Sequence, residues 1–275
     1  MKAHQRIIRD RRAAEDSDSD LFGRWWQDID TNISSAEVRP ISYETAKSVI
    51  EKYEWLGTMP AVSRYYFGIF FGGCCGGVCV YGDEYSENLG VWDKYGYTGK
   101  IIALLRGACV HWAPPHAASK LTRESMRLLP PQYKVVTCTT DSTAGEVGTI
   151  YQASGFDYVG VMSAGGKIAS IRDKNGNAIS SRQAKRSHGT RGHLALVGLG
   201  IKATGVPRKE RYFAFRGGRG EVKNLRRAIL HKIKPYPKRA EQVSSRDTAG
   251  TPSKAGGSSP APLQFTSVVG KAKET

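Results

Sequence analysis

The segment from Tyr133 to Val161, YKVVTCTTDSTAGEVGTIYQASGFDYVGV, constrains this chain more than any other. A β-rich apolar run leads into a short polar turn, a helical stretch, Gly155 and a second apolar run. The spacing predicts strand, turn, helix and strand, a building unit of sheets flanked by helices. Asp141 then falls at the carboxyl edge of the first strand, and Tyr151 lies one helical turn before the glycine stop. Ligands of open α/β sheets gather outside the carboxyl ends of their strands. An acid and a phenol delivered there suit proton transfer to a bound molecule. Asp141 is equally a good helix N-cap, and Tyr151 a half-buried packing residue.

The flanking sequence extends this unit. Glu37–Ser42 (EVRPIS) reads as a short strand. Tyr43–Tyr53 sets Ala46, Val49, Ile50 and Tyr53 at helical spacing behind a capping Ser42. Arg64–Phe71 and Gly76–Tyr81 read as strands paired around a glycine bend. No Lys-Ser/Thr follows those glycines, which argues against a phosphate loop. A strand over Lys100–Trp112 leads through APPHAAS into a helix from about Lys120 to Leu129, which Pro130 and Pro131 end. The fold class expected is α/β (α+β), a mixed sheet flanked by helices. Residues 1–36 are expected to be a flexible segment, 37–239 the functional domain, and 240–275, rich in Ser, Pro, Gly and Lys, a disordered tail.

No apolar run approaches the length of a bilayer span, and the N-terminus lacks an apolar signal core. The expectation is a cytoplasmic protein with no membrane partner. The five cysteines include no C-x-x-C pair, so neither a disulfide framework nor a zinc site is supported. Cys79, Cys109 and Cys138 sit in apolar strand patterns and read as buried thiols.

Charge is unevenly placed. Of the net +16, nearly all falls between Arg182 and Arg239, where 17 lysines and arginines face only Glu210 and Glu221. The remaining sequence carries 24 bases and 23 acids. A neutral body with one strongly cationic segment implies a polyanionic partner, because phosphate neutralisation by Lys and Arg drives binding to nucleic acid. A merely solubilising basic face is the alternative.

The strand and helix order, with GTIYQASGF, resembles the N-acetyltransferase (GNAT) fold. A narrower resemblance covers about Tyr43 to Arg239. YEWLGTMP, RGACVHW with PHAASKL, the DST to GTIYQASGF unit, SHGTRG, and KERYFAF with PYPKR resemble the phage Mom-type DNA modification proteins, a divergent branch of that superfamily. The resemblance implies a transferase that places a carbamoylmethyl-type group on adenine N6 of double-stranded DNA. It implies protection of phage DNA from restriction, in the cytoplasm of an infected bacterial cell. The basic region about 180–239 then becomes a DNA-binding insertion and extension of an acetyltransferase-like catalytic domain. Two other readings stand beside this one: an acyl-coenzyme A-dependent N-acetyltransferase, and a non-catalytic nucleic-acid-binding protein. Acetyl-coenzyme A or a related donor is implied by the superfamily, and iron by some of its members. The superfamily's glycine-containing pyrophosphate loop is replaced here by Ala113–Ser119, APPHAAS, which has no glycine.

On this resemblance Asp141 orients or deprotonates the adenine amine, and Tyr151 donates a proton. The amine's lone pair is delocalised into the ring, and the amine lies inside the duplex stack, so base flipping is the expected route. Trp55, Tyr53, Tyr65 and Tyr66 are candidate surfaces for the extruded base, with core packing as the other role. Arg106 interrupts an apolar strand, which calls for an anionic donor group or an ion pair with a residue such as Asp141. Ser119 is an anion-site or capping candidate. Ser125 faces either the pocket or solvent. His111 and His116, with Asp141 or Cys109, are weak metal candidates, since their spacing matches no recognised metal signature. Arg186, Arg191, Lys209, Arg211 and Arg216, with Arg226 and Arg227 on a helix over Glu221–Lys232, are candidate phosphate contacts.

Overall fold

A computed structural model describes residues 3–18, 25–84, 90–161, 167–172, 178–179, 181–207 and 209–238. The expected tail, 240–275, lies outside the described residues. Ten strands are described: β1 (Glu37–Pro40), β2 (Ser63–Phe71), β3 (Cys74–Gly82), β4 (Ile101–Cys109), β5 (Val135–Thr140), β6 (Asp157–Gly160), β7 (Lys167–Arg172), β8 (Ala178–Ile179), β9 (Ala203–Pro207) and β10 (Glu210–Phe215). Seven form the main sheet in the order β1-β2-β3-β4-β5-β10-β6. The only parallel neighbours in it are β4 and β5. The α/β expectation holds, as does the predicted pairing of β2 with β3 around Gly72 and Gly73.

The helices are α1 (His4–Asp18), α2 (Tyr43–Tyr53), α3 (Ala117–Leu128), α4 (Thr149–Ala153), α5 (Ser181–His188), α6 (His193–Gly198) and α7 (Arg219–Ile229). Ser42 caps α2 by accepting from Thr45 N, as its sequence position predicts. Strand alternation divides the core. Tyr81 and Cys79 of β3 meet Ser125 and Thr122 of α3, and Tyr212 of β10 meets Tyr151 of α4. The opposite face carries Tyr66 against Tyr43 of α2, while Ile101, Val135 and Phe213 join Ile229 of α7 in a separate cluster. Helices α3 and α4 therefore cover one face, and α2 and α7 the other.

The Tyr133–Val161 unit folds as predicted, with one addition: β10 inserts between β5 and β6. Gly155 takes a left-handed conformation, and its N–H and that of Phe156 bond Gln152 O and Tyr151 O, a Schellman stop. Gly148 opens α4 at φ 62°, where a Cβ would lie 2.4 Å from the Tyr212 ring. A side chain would strain the backbone at both positions, and at Gly148 it would also clash with Tyr212.

Two expectations change. The N-terminal segment is not without structure: α1 docks on the end of α2 and on the turn after β4. Arg9 donates to His111 O and Ala113 O, Arg12 to Lys52 O, and Gln5 to Tyr53 O. Those carbonyls end a helix and a strand and need donors. In addition, three of the expected phosphate contacts serve as internal struts. Arg216 donates to the carbonyls of Tyr133 (2.6 Å), Leu129 (2.9 Å) and Pro130 (3.2 Å), closing the end of α3. Arg211 pairs with Glu84 at 2.8 Å and sits over the Trp92 ring. Arg226 grips Asp157 with two bonds of 2.6 and 2.8 Å. Replacing Arg216 by Met strands three carbonyls, and urea denaturation should show a loss of roughly 2–3 kcal/mol. Arg227→Ala, on the exposed face of α7, should change stability by less than about 0.5 kcal/mol.

Candidate active site

Strands β4 and β5 pair through only three residues, Ile101 with Val135, Ile102 with Val136 and Ala103 with Thr137. Beyond those pairs β4 runs on to Cys109 and β5 to Thr140 without bonding each other. A sheet opened at the carboxyl ends of parallel strands is the usual place for a ligand. Asp141 follows β5 at this rim, and Arg106 lies on the part of β4 that pairs with β3 but no longer with β5.

The turn between Asp141 and α4 carries the residue that sequence reading passed over. Glu146 is half-buried in the turn, and both carboxylate oxygens are held. Its Oε2 accepts from the backbone N–H of Asp141 at 2.9 Å, and its Oε1 accepts from Trp55 Nε1 at 3.1 Å. Burial raises the Glu146 carboxyl above its ordinary value, against the lowering effects of the Asp141 amide, Lys209 and Trp55. A second acid behaves alike. Glu54 is 8% exposed and accepts from the N–H groups of Leu56 and Gly57. Burial again raises its carboxyl, with Arg106 opposing and Glu146 adding to the rise. Arg106 Nε stands 3.8 Å from Glu54 Oε2, and the same guanidinium donates to Thr58 O and Leu105 O. The expected ion pair of Arg106 thus exists, with Glu54 as its carboxylate. Lys209 Nζ lies 3.8 Å from Asp141 Oδ2.

Asp141 and Tyr151 each relate to Glu146. The Asp141 amide binds this carboxylate, and its charge is felt by the Tyr151 phenol. Tyr151 packs at 5.5 Å on both Phe156 and Tyr212 and bonds toward the Cys138 thiol. Burial, then Cys138 and Glu146, push its phenol well above the ordinary range. It therefore stays protonated, a hydroxyl able to donate a hydrogen bond. The Cys138 thiol is likewise pushed far up by burial, which makes it inert.

The other candidates divide. Trp55 belongs to the site, fixed by Glu146 and by the edge of His4 at 5.5 Å. Tyr53 is 6% exposed, packed with His111, and Tyr66 bonds Ser63 Oγ beside Tyr43; both are packing residues. Ser125 faces neither solvent nor an open pocket: it is fully buried and bonded to Tyr81 Oη at 2.7 Å. Ser119 Oγ donates to His116 O.

Neither implied cofactor finds a matching cradle. At the start of α3, His116 takes a left-handed conformation (φ 70°), Ala117 is buried, and the Ser119 hydroxyl is committed to a carbonyl. With no glycine there to admit a close approach, these residues do not fit a pyrophosphate cradle. No group of three or more His, Cys, Asp or Glu converges among the described residues, so iron is not supported. His111 is buried against Tyr53 and Trp26, and burial lowers its imidazole. Its Nε2 lies 3.3 Å from Asp16 Oδ2 but is not aligned for a hydrogen bond.

The Mom protein family model matches residues 35–238, a span that contains the whole main sheet and the acidic cluster. This chain belongs to the Mom protein family. None of the curated proteins compared with it matches. Among solved structures this Mom-family chain is similar to an IAA acetyltransferase from Bacillus cereus, with 12% identity and a TM-score of 0.37 over 66% of this chain and 100% of that one. It is similar also to an N-acyl amino acid synthase from uncultured soil microbes, with 13% identity and a TM-score of 0.37 over 72% and 96%. An aminoglycoside acetyltransferase solved with coenzyme A and kanamycin gives 12% identity and a TM-score of 0.35 over 57% and 100%.

The two raised carboxyls make a stability prediction for this Mom-family chain. Folded, Glu54 and Glu146 keep protons that the unfolded chain releases near the ordinary value of 4.5. Their contribution is fully present below that value and is lost as pH rises through the raised folded values. The urea midpoint of the wild type should therefore carry a downward component with rising pH that a Glu54→Gln/Glu146→Gln double variant lacks. Parallel pH profiles of the two proteins would contradict these environments.

Proposed function

We propose that this chain is a DNA-modifying transferase that places a carbamoylmethyl-type group on N6 of adenine in double-stranded DNA and so guards phage DNA against restriction. The observation that carries the reading is Glu146, a half-buried carboxyl with a raised proton affinity, held between the Trp55 indole and the Asp141 amide beyond the last pairing of β4 with β5. A base is chemically required, because the adenine amine is a weak nucleophile. A carboxyl tuned upward works best as a general base near neutral pH.

In this reading Glu146 takes the N6 proton as the new N–C bond forms. Asp141, on the rim beside Lys209, accepts a hydrogen bond from the amine and orients it. Tyr151, kept protonated by burial, donates to the group that departs. The Trp55 indole, anchored through its N–H, offers a ring at the mouth of the cleft for the extruded base. Arg106 and Lys209 limit the negative charge that three carboxylates would otherwise gather. Arg186, Arg191, Lys209 and Arg227 are exposed and suited to phosphate, and Family membership and the acid-free cationic run ahead of β10 support a nucleic-acid substrate.

The test is direct. DNA from bacteria expressing the protein is digested to nucleosides and searched by mass spectrometry for a modified adenosine. Its yield should fall by about 10²–10⁴-fold in Glu146→Gln, in the range typical of a lost general base. Unmodified DNA from cells making folded wild-type protein would refute the proposal.

A further inference from the structure

The chain leaves the main sheet at the end of β6 and returns at the start of β10, and what lies between is a small separate unit. Strands β8, β7 and β9 form its sheet, and Ile171, Ala184 and Leu196 form its apolar centre, joined by Ile201 and Ala203. Its attachment points are fixed by register. Gly160 of β6 pairs with Arg211, and Glu210 of β10 pairs with Thr140, the residue before Asp141. The unit is therefore rooted at the rim that carries the acidic cluster, and Lys209 at its exit reaches Asp141.

Two properties of this unit do not belong to a bystander. Between Asp173 and Glu210 the sequence has eight lysines or arginines and no acid. Within that cationic surround, α6 turns apolar side chains outward. Leu196 is buried inward, while Leu194 is 79% exposed and Val197, one turn on, 48%; Leu199 just beyond is 59% exposed. Leu194 is the most exposed of the large hydrophobic residues described. It follows directly on the basic segment that carries Lys185, Arg186 and Arg191, all exposed.

A single exposed leucine is ordinary. A group of three on and just after one short helix, in a stretch of chain that has cations and no acid, is matched to a partner that is anionic outside and apolar within. A DNA duplex has that make-up, with phosphates flanking a stack of bases, and proteins that distort it insert apolar wedges between base steps. We propose that Leu194 is such a wedge, entering the base stack as the target adenine is withdrawn toward Glu146, with Arg186 and Arg191 on the adjoining phosphates. This inference rests on the DNA-modifying reading above. Withdrawing a base opens a gap in the stack, and an apolar side chain that fills it keeps the base from returning.

The experiment uses full-length protein and a mixed-sequence duplex probed with permanganate, which oxidises thymines that have lost their stacking or their adenine partner. Wild type should enhance thymine oxidation at discrete positions. Leu194→Ala should lower that enhancement and the modification rate by about tenfold, while DNA affinity by fluorescence anisotropy changes less than about threefold. Leu194→Met should restore both, and Arg186→Ala/Arg191→Ala should weaken affinity first. If Leu194→Ala unstacks and modifies DNA as well as wild type does, the wedge is refuted while the enzyme reading survives. If wild type neither binds nor modifies DNA, the functional reading itself fails. Wild type is also compared with Leu194→Ala on phosphatidylglycerol vesicles and by sedimentation. Loss of vesicle binding or of a dimer in the variant, with DNA unstacking intact, would assign the patch to a lipid surface or a second copy and overturn the wedge.

Discussion

Three pairs of residues join β4 to β5, and the early end of that pairing is the constraint on which the site depends. Had the ladder continued, Leu104–Cys109 and Cys138–Thr140 would have bonded each other and closed the sheet. Because it stops, the carboxyl end of β5 is not joined to β4, and the turn from Asp141 to Gly148 follows directly on it. The turn needs a partner across the opening, and it finds one in the loop after α2. The hydrogen bond from Trp55 Nε1 to Glu146 is the tie between the two sides. It links segments 91 residues apart in sequence, so it defines the cleft without any continuous element spanning it.

Charge follows from the same geometry. Two carboxyls, the buried Glu54 and the half-buried Glu146, lie near this end of β5, and loss of solvent alone would drive both toward the neutral form. Backbone N–H groups and the nearby Arg106 and Lys209 pull the other way without winning. The outcome is a pair of acids that hold their protons to higher pH than exposed carboxyls do. Elsewhere the cations have a different task. Arg211, Arg216 and Arg226 sit on or after β10 and bind Glu84, backbone carbonyls and Asp157. Part of the basic excess is thus structural, and the part left facing solvent is concentrated on the β7–β9 unit and α7.

The elements were legible where they are local. The helical spacing in Tyr43–Tyr53, the Gly155 stop and the glycine bend between β2 and β3 each depend on neighbours a few residues away. What was not legible is long range. Nothing in the sequence near Arg216 tells that its guanidinium would close the end of α3, 83 or more residues earlier. A charge count treats it as one more cation. Glu146 was hidden for the same reason: its role comes from Trp55 and from burial, and both are tertiary. The one local signal was a lone acid in a turn flanked by Gly145 and Gly148, five residues after Asp141. Polar composition likewise suggested a loose N-terminus, because the contacts of α1 use side-chain guanidinium groups rather than an apolar stripe.

That helix sharpens the argument about Trp55. Helix α1 lies outside the residues matched to the family, yet it meets the site from behind. The carbonyls of Lys52 and Tyr53 end α2 and have no partners within it. Arg12 and Gln5 supply donors, and the Gln5 carbonyl oxygen accepts from Trp55 N at 3.3 Å. His4 packs edge-on against the indole that Glu146 holds from the other side. The backbone of Trp55 is thereby fixed by α1 and its ring by the turn that carries Glu146. A side chain held at both ends has little conformational entropy left to lose on contact with a ligand, so an element outside the shared domain contributes to the preorganisation of the candidate site.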